Sequence, residues 1–201
     1  MEGFRENDQS FATKALHAGQ DPEQWSSMAV VPPISMSTTF KQYGPADFKQ
    51  YEYGRSGNPT RDCLEAALAA VDGAEFAFTF SSGLAATSTI TQLLKAGDHL
   101  IAMDDLYGGT NRYFRRVASN MGIETSFVDA TNPQKVAEAI KPNTRMVWIE
   151  TPTNPTLKVT SLNSRKKLEK SCENTAVPFC LALFNFNFTR KNGKSSKQIN
   201  S

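Results

Sequence analysis

The first 57 residues lack a regular pattern of hydrophobic positions. Scattered glycines and serines interrupt any longer period, as do four prolines, at positions 22, 32, 33 and 45. A short helix is expected near 13–18, and the rest of 1–57 is expected to form an extended arm. Two placements of this arm stay open: around a neighbouring subunit, or over the chain's own core.

A regular alternation of helical and extended patterns begins at Asn58. Apolar residues at helical spacing, with Pro59 in the first turn and Gly73 after the last, predict a first helix. Further helices are predicted over 83–95, 110–120 and 133–140. Strands are predicted over 75–80, 100–103, 123–128 and 145–150. Strands that alternate with helices predict an α/β fold, in which a mainly parallel sheet carries helices on both faces.

The alternation ends after Val159, where the charge of the chain also changes. Residues 1–160 carry 14 Lys and Arg against 18 Asp and Glu, a net of −4, and the remainder carry 8 against 2, a net of +6. The remainder is expected to hold a helix over 165–170, a Phe-rich apolar run over 179–188 and a disordered end. The predicted organisation is an arm (1–57), an α/β domain (58–160) and a divergent, poorly ordered basic tail (161–201).

The composition argues against several classes of protein. With 39% hydrophobic and 21% charged residues the chain is globular, and its net charge of +2 indicates neither a nucleic-acid nor a membrane partner. Three cysteines without a CxxC pair argue against a disulfide framework or a zinc ribbon. His17 and His99 lack an acidic partner at suggestive spacing, so neither a hydrolase triad nor a metal site is expected. The polar N-terminus is unlike a signal peptide, and a cytoplasmic location is expected.

The loops that follow the predicted strands hold the candidate chemistry, because ligands of open α/β sheets bind at the carboxyl ends of strands. The loop 81–87 joins a strand to a helix with small residues, so the N–H groups of the first turn are accessible to an anion such as phosphate. The alternative is an ordinary tight turn in which Ser82 caps the helix.

Two further loops present side chains that suit a planar, charged ligand. Tyr107 follows the strand over 100–103, where its ring could stack on a flat cofactor, and Arg112 could bind a carboxylate. Asn154 follows the strand over 145–150 in a loop stiffened by two prolines. The alternatives are a Gly-Gly loop with solvated charges and a proline-stiffened turn.

Five stretches together resemble the pyridoxal-phosphate-dependent transsulfuration enzymes. They are HAGQDPEQW at 17–25, YGRSGNPTR at 53–61, SGLAAT at 82–87, YGGTNRYF at 107–114 and ETPTNP at 150–155. The resemblance runs from about residue 11 to residue 159. It is stronger to the cystathionine gamma-lyases than to the cystathionine gamma-synthases or methionine gamma-lyases, which are the nearest alternatives.

The resemblance implies a partial fold-type-I, aminotransferase-like large domain, a pyridoxal 5′-phosphate cofactor and a homotetramer built as a dimer of dimers. Tyr53 and Arg55 match residues that reach the cofactor phosphate of the neighbouring subunit. Ser82, Gly83 and Leu84 match the backbone seat of the phosphate.

The resemblance also implies roles for the two later loops. Tyr107 matches the tyrosine that stacks on the pyridine ring and moves protons, which makes it the catalytic candidate. Asn154 matches the residue beside the ring hydroxyl, and Arg112 matches a substrate-site arginine. The implied substrate site takes a sulfur amino acid on Arg55, Tyr107, Arg112 and Asn154. The family cleaves cystathionine at its gamma C–S bond to cysteine, 2-oxobutanoate and ammonia, and can release hydrogen sulfide.

Two groups that the family's chemistry requires have no match in this sequence. The family's Asp-Asn-Thr segment, which supports the pyridinium nitrogen, and its Ser-x-Thr-Lys-Tyr segment, which holds the Schiff-base lysine, are not found after residue 160. Ser164 and Lys167 match a bare Ser-x-x-Lys, but they lie in a charged helical run too close to Asn154. The chain is therefore expected to be inactive as it stands and to bind the cofactor weakly. Two alternatives stay open: a non-catalytic protein that docks on a full-length lyase subunit, and a fragment that does not fold stably.

Overall fold

The computed structural model describes residues 10–160, together with the backbone of 181–183 and 187–189. The predicted helix at 165–170 and the end of the basic tail lie outside these residues. The chain divides between Thr79 and Phe80 into two compact units, each with its own set of contacts.

The first unit is built on two helices and one short hairpin. Helix α1 (Phe11–His17) confirms the helix expected near 13–18, and a 3-10 turn follows at Pro22–Gln24. Strands β1 (Gln42–Gly44) and β2 (Asp47–Phe48) pair antiparallel. Helix α2 (Pro59–Asp72) packs against α1.

Helix α2 begins and ends where the sequence signals predict. The Asn58 carboxamide oxygen accepts from the backbone N–H groups of Thr60 at 2.9 Å and Arg61 at 3.2 Å, which satisfies two of the helix's unpaired donors. Gly73 ends the helix in the left-handed conformation, with φ of 63°. The predicted first helix is confirmed.

The second unit contains a three-stranded parallel sheet. Its elements are α3 (Gly83–Thr91), β3 (His99–Met103), α4 (Gly108–Tyr113), β4 (Glu124–Val128), α5 (Pro133–Glu138) and β5 (Thr144–Trp148). A π turn (Phe114–Ala118) and a 3-10 turn (Ser119–Met121) extend α4. The strand order is β4-β3-β5 and both pairings are parallel. The predicted parallel α/β architecture is confirmed.

The strand predicted over 75–80 is wrong. The backbone there forms no regular element, and the side chains of Phe76 and Phe78 are 66% and 74% exposed. Alternating phenylalanines indicate which side chains would share a face of a strand. A strand also requires a neighbouring strand that completes its hydrogen-bond ladder, and none of the described strands pairs with this segment. The helix predicted over 83–95 is also shorter, since α3 ends at Thr91 and continues as turns.

The core of the second unit surrounds β3, all five of whose residues are buried. Phe114 and Trp148 meet edge to face beside it, with ring centroids 5.3 Å apart, a geometry that adds about 1 kcal/mol to the burial of the rings. His99 lies at the start of β3, where its Nδ1 is 2.7 Å from Oγ1 of Thr144 on β5 and its Nε2 is 2.9 Å from Oγ of Ser126 on β4. One imidazole therefore links all three strands.

Beyond residue 160, the described backbone forms β6 (Leu181–Leu183) and β7 (Asn187–Thr189), which pair antiparallel within the predicted apolar run. Among the helices of the described residues, none is both long enough and apolar enough to span a bilayer.

The burial of His99 predicts a pH-dependent stability. Desolvation, with a smaller contribution from Lys141, lowers the pKa of His99 below its ordinary value near 6.5. The unfolded chain then binds a proton more readily than the folded chain, so the free energy of unfolding decreases as the pH falls below about 6.5. Urea unfolding at pH 8, 7, 6 and 5 should show this slope for the wild type, and His99→Gln should lose it.

The matched control for this experiment is His17→Gln, because the chain has two histidines and His17 is exposed on α1. This variant should keep the wild-type slope. Equal slopes for the wild type and His99→Gln would show that another group sets the acid sensitivity.

Candidate functional site

The carboxyl ends of β3 and β5 lie side by side, because the two strands are parallel and Ala102 pairs with Trp148. The loops that leave these ends are 104–107, which leads into α4, and 149–160. Both loops carry residues that the sequence singled out, and three acidic side chains join them.

Glu150 makes the central connection between the two loops. It is 2% exposed, and its Oε2 accepts a hydrogen bond from the backbone N–H of Tyr107 at 3.0 Å while its Oε1 accepts from the backbone N–H of Asn154 at 3.1 Å. Burial raises the pKa of Glu150, and the two N–H donors act in the opposite direction because they favour the ionised form. The structure thus brings Tyr107 and Asn154 together through a buried carboxylate.

Asp105 and Asp104 form a second, more exposed set of connections. The hydroxyl groups of Thr153 and Thr156 donate to Oδ2 of Asp105, and these hydrogen bonds lower the pKa of that carboxyl. The Nζ atom of Lys158 lies 3.2 Å from Asp104. These contacts fix the course of the loop after β5 but involve neither the Tyr107 nor the Asn154 backbone N–H.

Tyr107 is 44% exposed, and its ring lies against Gly109. A Cβ atom built on Gly109 would come within 2.5 Å of Cε1 of the Tyr107 ring, closer than carbon atoms approach without displacement. A Cβ on Gly108 would meet nothing within 4 Å. The second glycine of the pair is therefore the one that leaves room for the ring in its present position.

The start of α3 has the properties of an anion seat. Ser82 is the N-cap residue, and its Oγ accepts from the N–H of Ala85 at 3.1 Å. The N–H groups in the first turn of a helix have no acceptor within the helix, so those of Gly83 and Leu84 lack a partner inside α3. The alternative interpretation of this loop, a turn in which Ser82 caps the helix, is confirmed, and the phosphate seat stays a prediction. Helix α3 also contacts α4, which follows Tyr107.

The other two candidates of this unit are exposed. Arg112 lies in the last turn of α4, and Asn154 lies in the loop after β5 with its backbone held by Glu150. Their side chains are accessible to a ligand.

Tyr53 and Arg55 lie together in the first unit. The Arg55 guanidinium carbon is 4.3 Å from the centroid of the Tyr53 ring, and its Nη1 donates to the Tyr53 hydroxyl at 3.2 Å. The turn that carries them is fixed from behind, since Nη1 of Arg61 donates to the Gly54 carbonyl at 3.1 Å. They line a cleft of about 360 Å³ together with Thr39, Gln42, Glu52 and Ser56.

Sequence reasoning missed three residues that shape this site: Glu150, Asp105 and Gly109. A signal existed for Glu150, because a carboxylate that directly follows the buried apolar run 146–149 must find donors nearby. No pattern of residue types indicated which N–H groups those donors are.

Comparison with known proteins places these features in context. The family model of the Cys/Met metabolism PLP-dependent enzymes matches residues 12–180. Cystathionine gamma-lyase of Homo sapiens is 64% identical over 158 residues, covering 79% of this chain and 39% of the relative, and that of Bos taurus is 61% identical over 162 residues, covering 81% and 40%. The chain therefore spans about 40% of the length of these relatives.

Two solved structures share the fold. The crystal structure of metB from Corynebacterium glutamicum superimposes with a TM-score of 0.80 at 40% identity, covering 89% of this chain and 46% of that one. Cystathionine gamma-lyase from Lactobacillus plantarum, complexed with L-serine, gives 0.78 at 35% identity, covering 86% and 44%.

The contact between Gly109 and the Tyr107 ring predicts an asymmetry between the two neighbouring glycines. Gly109→Ala should displace the ring, because its methyl group would occupy the space of Cε1, whereas Gly108→Ala should leave the ring in place. The measurement is the NMR cross-relaxation between the Tyr107 ring protons and the α proton of residue 109. If both variants keep the wild-type intensity, the ring is not held at this position.

Proposed function

The chain belongs to the PLP-dependent enzymes of cysteine and methionine metabolism, and we propose that it carries the phosphate seat and the ring-stacking face of a site of the cystathionine gamma-lyase type. The observation that carries this proposal is the joining of Tyr107 and Asn154 by Glu150 at the carboxyl edge of the parallel sheet, in the unit that also presents the N-terminus of α3.

The described residues fit the phosphate and one face of pyridoxal phosphate. The N–H groups of Gly83 and Leu84 would hold the phosphate, favoured by the positive end of the helix dipole. The exposed ring of Tyr107 would cover one face of the pyridine, and the Asn154 amide would lie near its edge. When bound, the cofactor supplies an electron sink for the cleavage of bonds next to the amino-bearing carbon.

We further propose that the chain alone does not cleave cystathionine. Lys158 lies at the same edge of the sheet, but its hydrogen bond and ion pair with Asp104 raise its pKa, so that it is held as an ammonium. A lysine that forms a Schiff base requires the opposite shift, because only the neutral amine attacks a carbonyl. The family's lysine and aspartate segments are not found elsewhere in the sequence.

The direct test of this proposal is an assay of the purified chain with cystathionine beside a full-length cystathionine gamma-lyase. No turnover above a heat-treated sample is expected, and Tyr107→Phe should change nothing. Turnover that borohydride reduction abolishes, with a modified lysine found by mass spectrometry, would overturn the inactivity and identify the lysine.

The cofactor seat has its own test. Weak, reversible binding of pyridoxal 5′-phosphate is expected from quenching of tryptophan fluorescence. Gly83→Pro removes one donor at the first helical position, where proline is tolerated, and should weaken binding about five- to tenfold. Gly83→Ala keeps the N–H and is the control.

Equal affinities for the two Gly83 variants would remove the phosphate seat from the proposal. A stoichiometric complex that survives gel filtration would contradict weak binding.

A second candidate function, docking on a full-length lyase subunit without catalysis, is favoured by the first unit. Arg55 is exposed on a fixed turn, and the arm before it presents apolar side chains, with Val30, Ile34 and Met36 77–86% exposed. Several strongly exposed apolar side chains in one segment are consistent with an interaction surface. A guanidinium that binds a phosphate through two parallel donors is not replaced by a lysine, so Arg55→Lys separates docking from phosphate binding.

Co-expression with a tagged full-length lyase tests this candidate. The chain should co-purify and lower the specific activity of the complex, and Arg55→Lys should lower it further without reducing co-purification. The exposed Lys49→Arg is the control. Aggregation without co-purification would favour the unstable fragment, and co-purification with unchanged activity would remove the regulatory role.

A further inference from the structure

We propose that Glu150 is a positioning residue for the ligand face of this site: its buried carboxylate sets the Tyr107 ring and the Asn154 amide relative to each other. This inference rests on the proposed cofactor site and deepens it. Glu150 accepts from the backbone N–H groups of Tyr107 and Asn154, so it acts on the two side chains through their backbones.

The geometry of the carboxylate suits this task. Each oxygen of Glu150 serves a different loop, at 3.0 Å for Tyr107 and 3.1 Å for Asn154, so one planar group fixes the separation of the two backbones. Tyr107 is the N-cap residue of α4, so its backbone also determines where that helix begins. A shift of the Glu150 carboxylate would therefore displace both the Tyr107 ring and the Asn154 side chain.

The free-energy cost of burying the Glu150 carboxylate supports a positioning role. Glu150 follows four buried apolar residues, and its burial disfavours the charged form that accepts both hydrogen bonds best. The loops already have other connections, since Thr153 and Thr156 donate to Asp105 and Lys158 pairs with Asp104. What Glu150 adds is the direct hold on the two residues that face the ligand.

A ligand-independent experiment tests the hold itself. Hydrogen exchange of the full chain, read by NMR, should show faster exchange of at least one of the Tyr107 and Asn154 amides in Glu150→Gln, since a carboxamide offers one accepting oxygen in place of two. The amide of Ile101 on β3 serves as the reference and should keep its protection. Asp105→Asn is the matched control, because it weakens the connection between the same loops while leaving both acceptors of Glu150 intact.

A second experiment tests whether the two hydrogen bonds of Glu150 affect ligand binding through the side chains of Tyr107 and Asn154. Glu150→Gln should weaken the affinity for pyridoxal 5′-phosphate about five- to tenfold, and Glu150→Leu should weaken it more, so that the glutamine partly rescues binding. In the double variant Tyr107→Ala, Asn154→Ala both backbone N–H groups remain but the positioned side chains are gone. Adding Glu150→Gln to that background should then cost nothing further.

Each outcome decides the inference. A loss in the double-variant background equal to that in the wild type would mean that Glu150 supports the fold in general and would overturn the positioning role. Unchanged exchange of both amides in Glu150→Gln would overturn it as well. If the wild-type chain binds no pyridoxal phosphate while either amide selectively loses protection in Glu150→Gln, the proposed cofactor site fails and the positioning of the two loops by Glu150 stands.

Discussion

The complete burial of β3 between two parallel neighbours is the constraint from which the second unit follows. A parallel strand that is buried along its length is mostly apolar: β3 has one polar residue, His99, which is hydrogen-bonded to both neighbouring strands, and the acidic residues follow in the loop at its carboxyl end. The ladder with β5 brings the carboxyl ends of both strands to one edge, and the loop N–H groups at that edge must find acceptors. Glu150 supplies two of these acceptors, so the acidic residue that follows the buried run 146–149 connects the two loops.

The hydrophobic pattern predicted α2 and β3 for different reasons. Helix α2 was predicted from its caps at Asn58 and Gly73, because a helix pairs its backbone locally. Strand β3 was predicted from a short apolar run, because a buried central strand is mostly apolar whatever its partners are. The prediction of a strand at 75–80 was wrong because a strand depends on a distant partner. Its alternating phenylalanines have the pattern of a strand, but that pattern carries no information about the segment that would pair with it.

The candidate residues were predictable to the extent that they sit at strand ends and match a family motif. Ser82 was placed correctly as a cap by its residue type, and Tyr107 by its position after β3. The role of Gly109 could not be read from the Gly-Gly pair, because the two glycines differ only in which one lies beneath the ring. The role of Glu150 depends on which backbone N–H groups approach it, a property of the folded edge and not of any stretch of sequence.

The electrostatics at this edge separate the orientation of a ligand from the chemistry done on it. In the proposed site, the helix N-terminus, the Tyr107 ring and the Asn154 amide would contribute through their positions, and Glu150 accepts from the backbone N–H groups of the last two residues. In the part of the chain that the structure describes, Lys158 is an amine at the same edge, yet Asp104 stabilises its charged form, and a nucleophilic amine requires the neutral form. Releasing that amine by removing Asp104 would also remove a connection between the loops that carry Tyr107 and Asn154. The two effects arise from different carboxylates: in the described residues, Glu150 accepts from the backbone N–H groups of Tyr107 and Asn154, whereas Asp104 favours the charged form of Lys158.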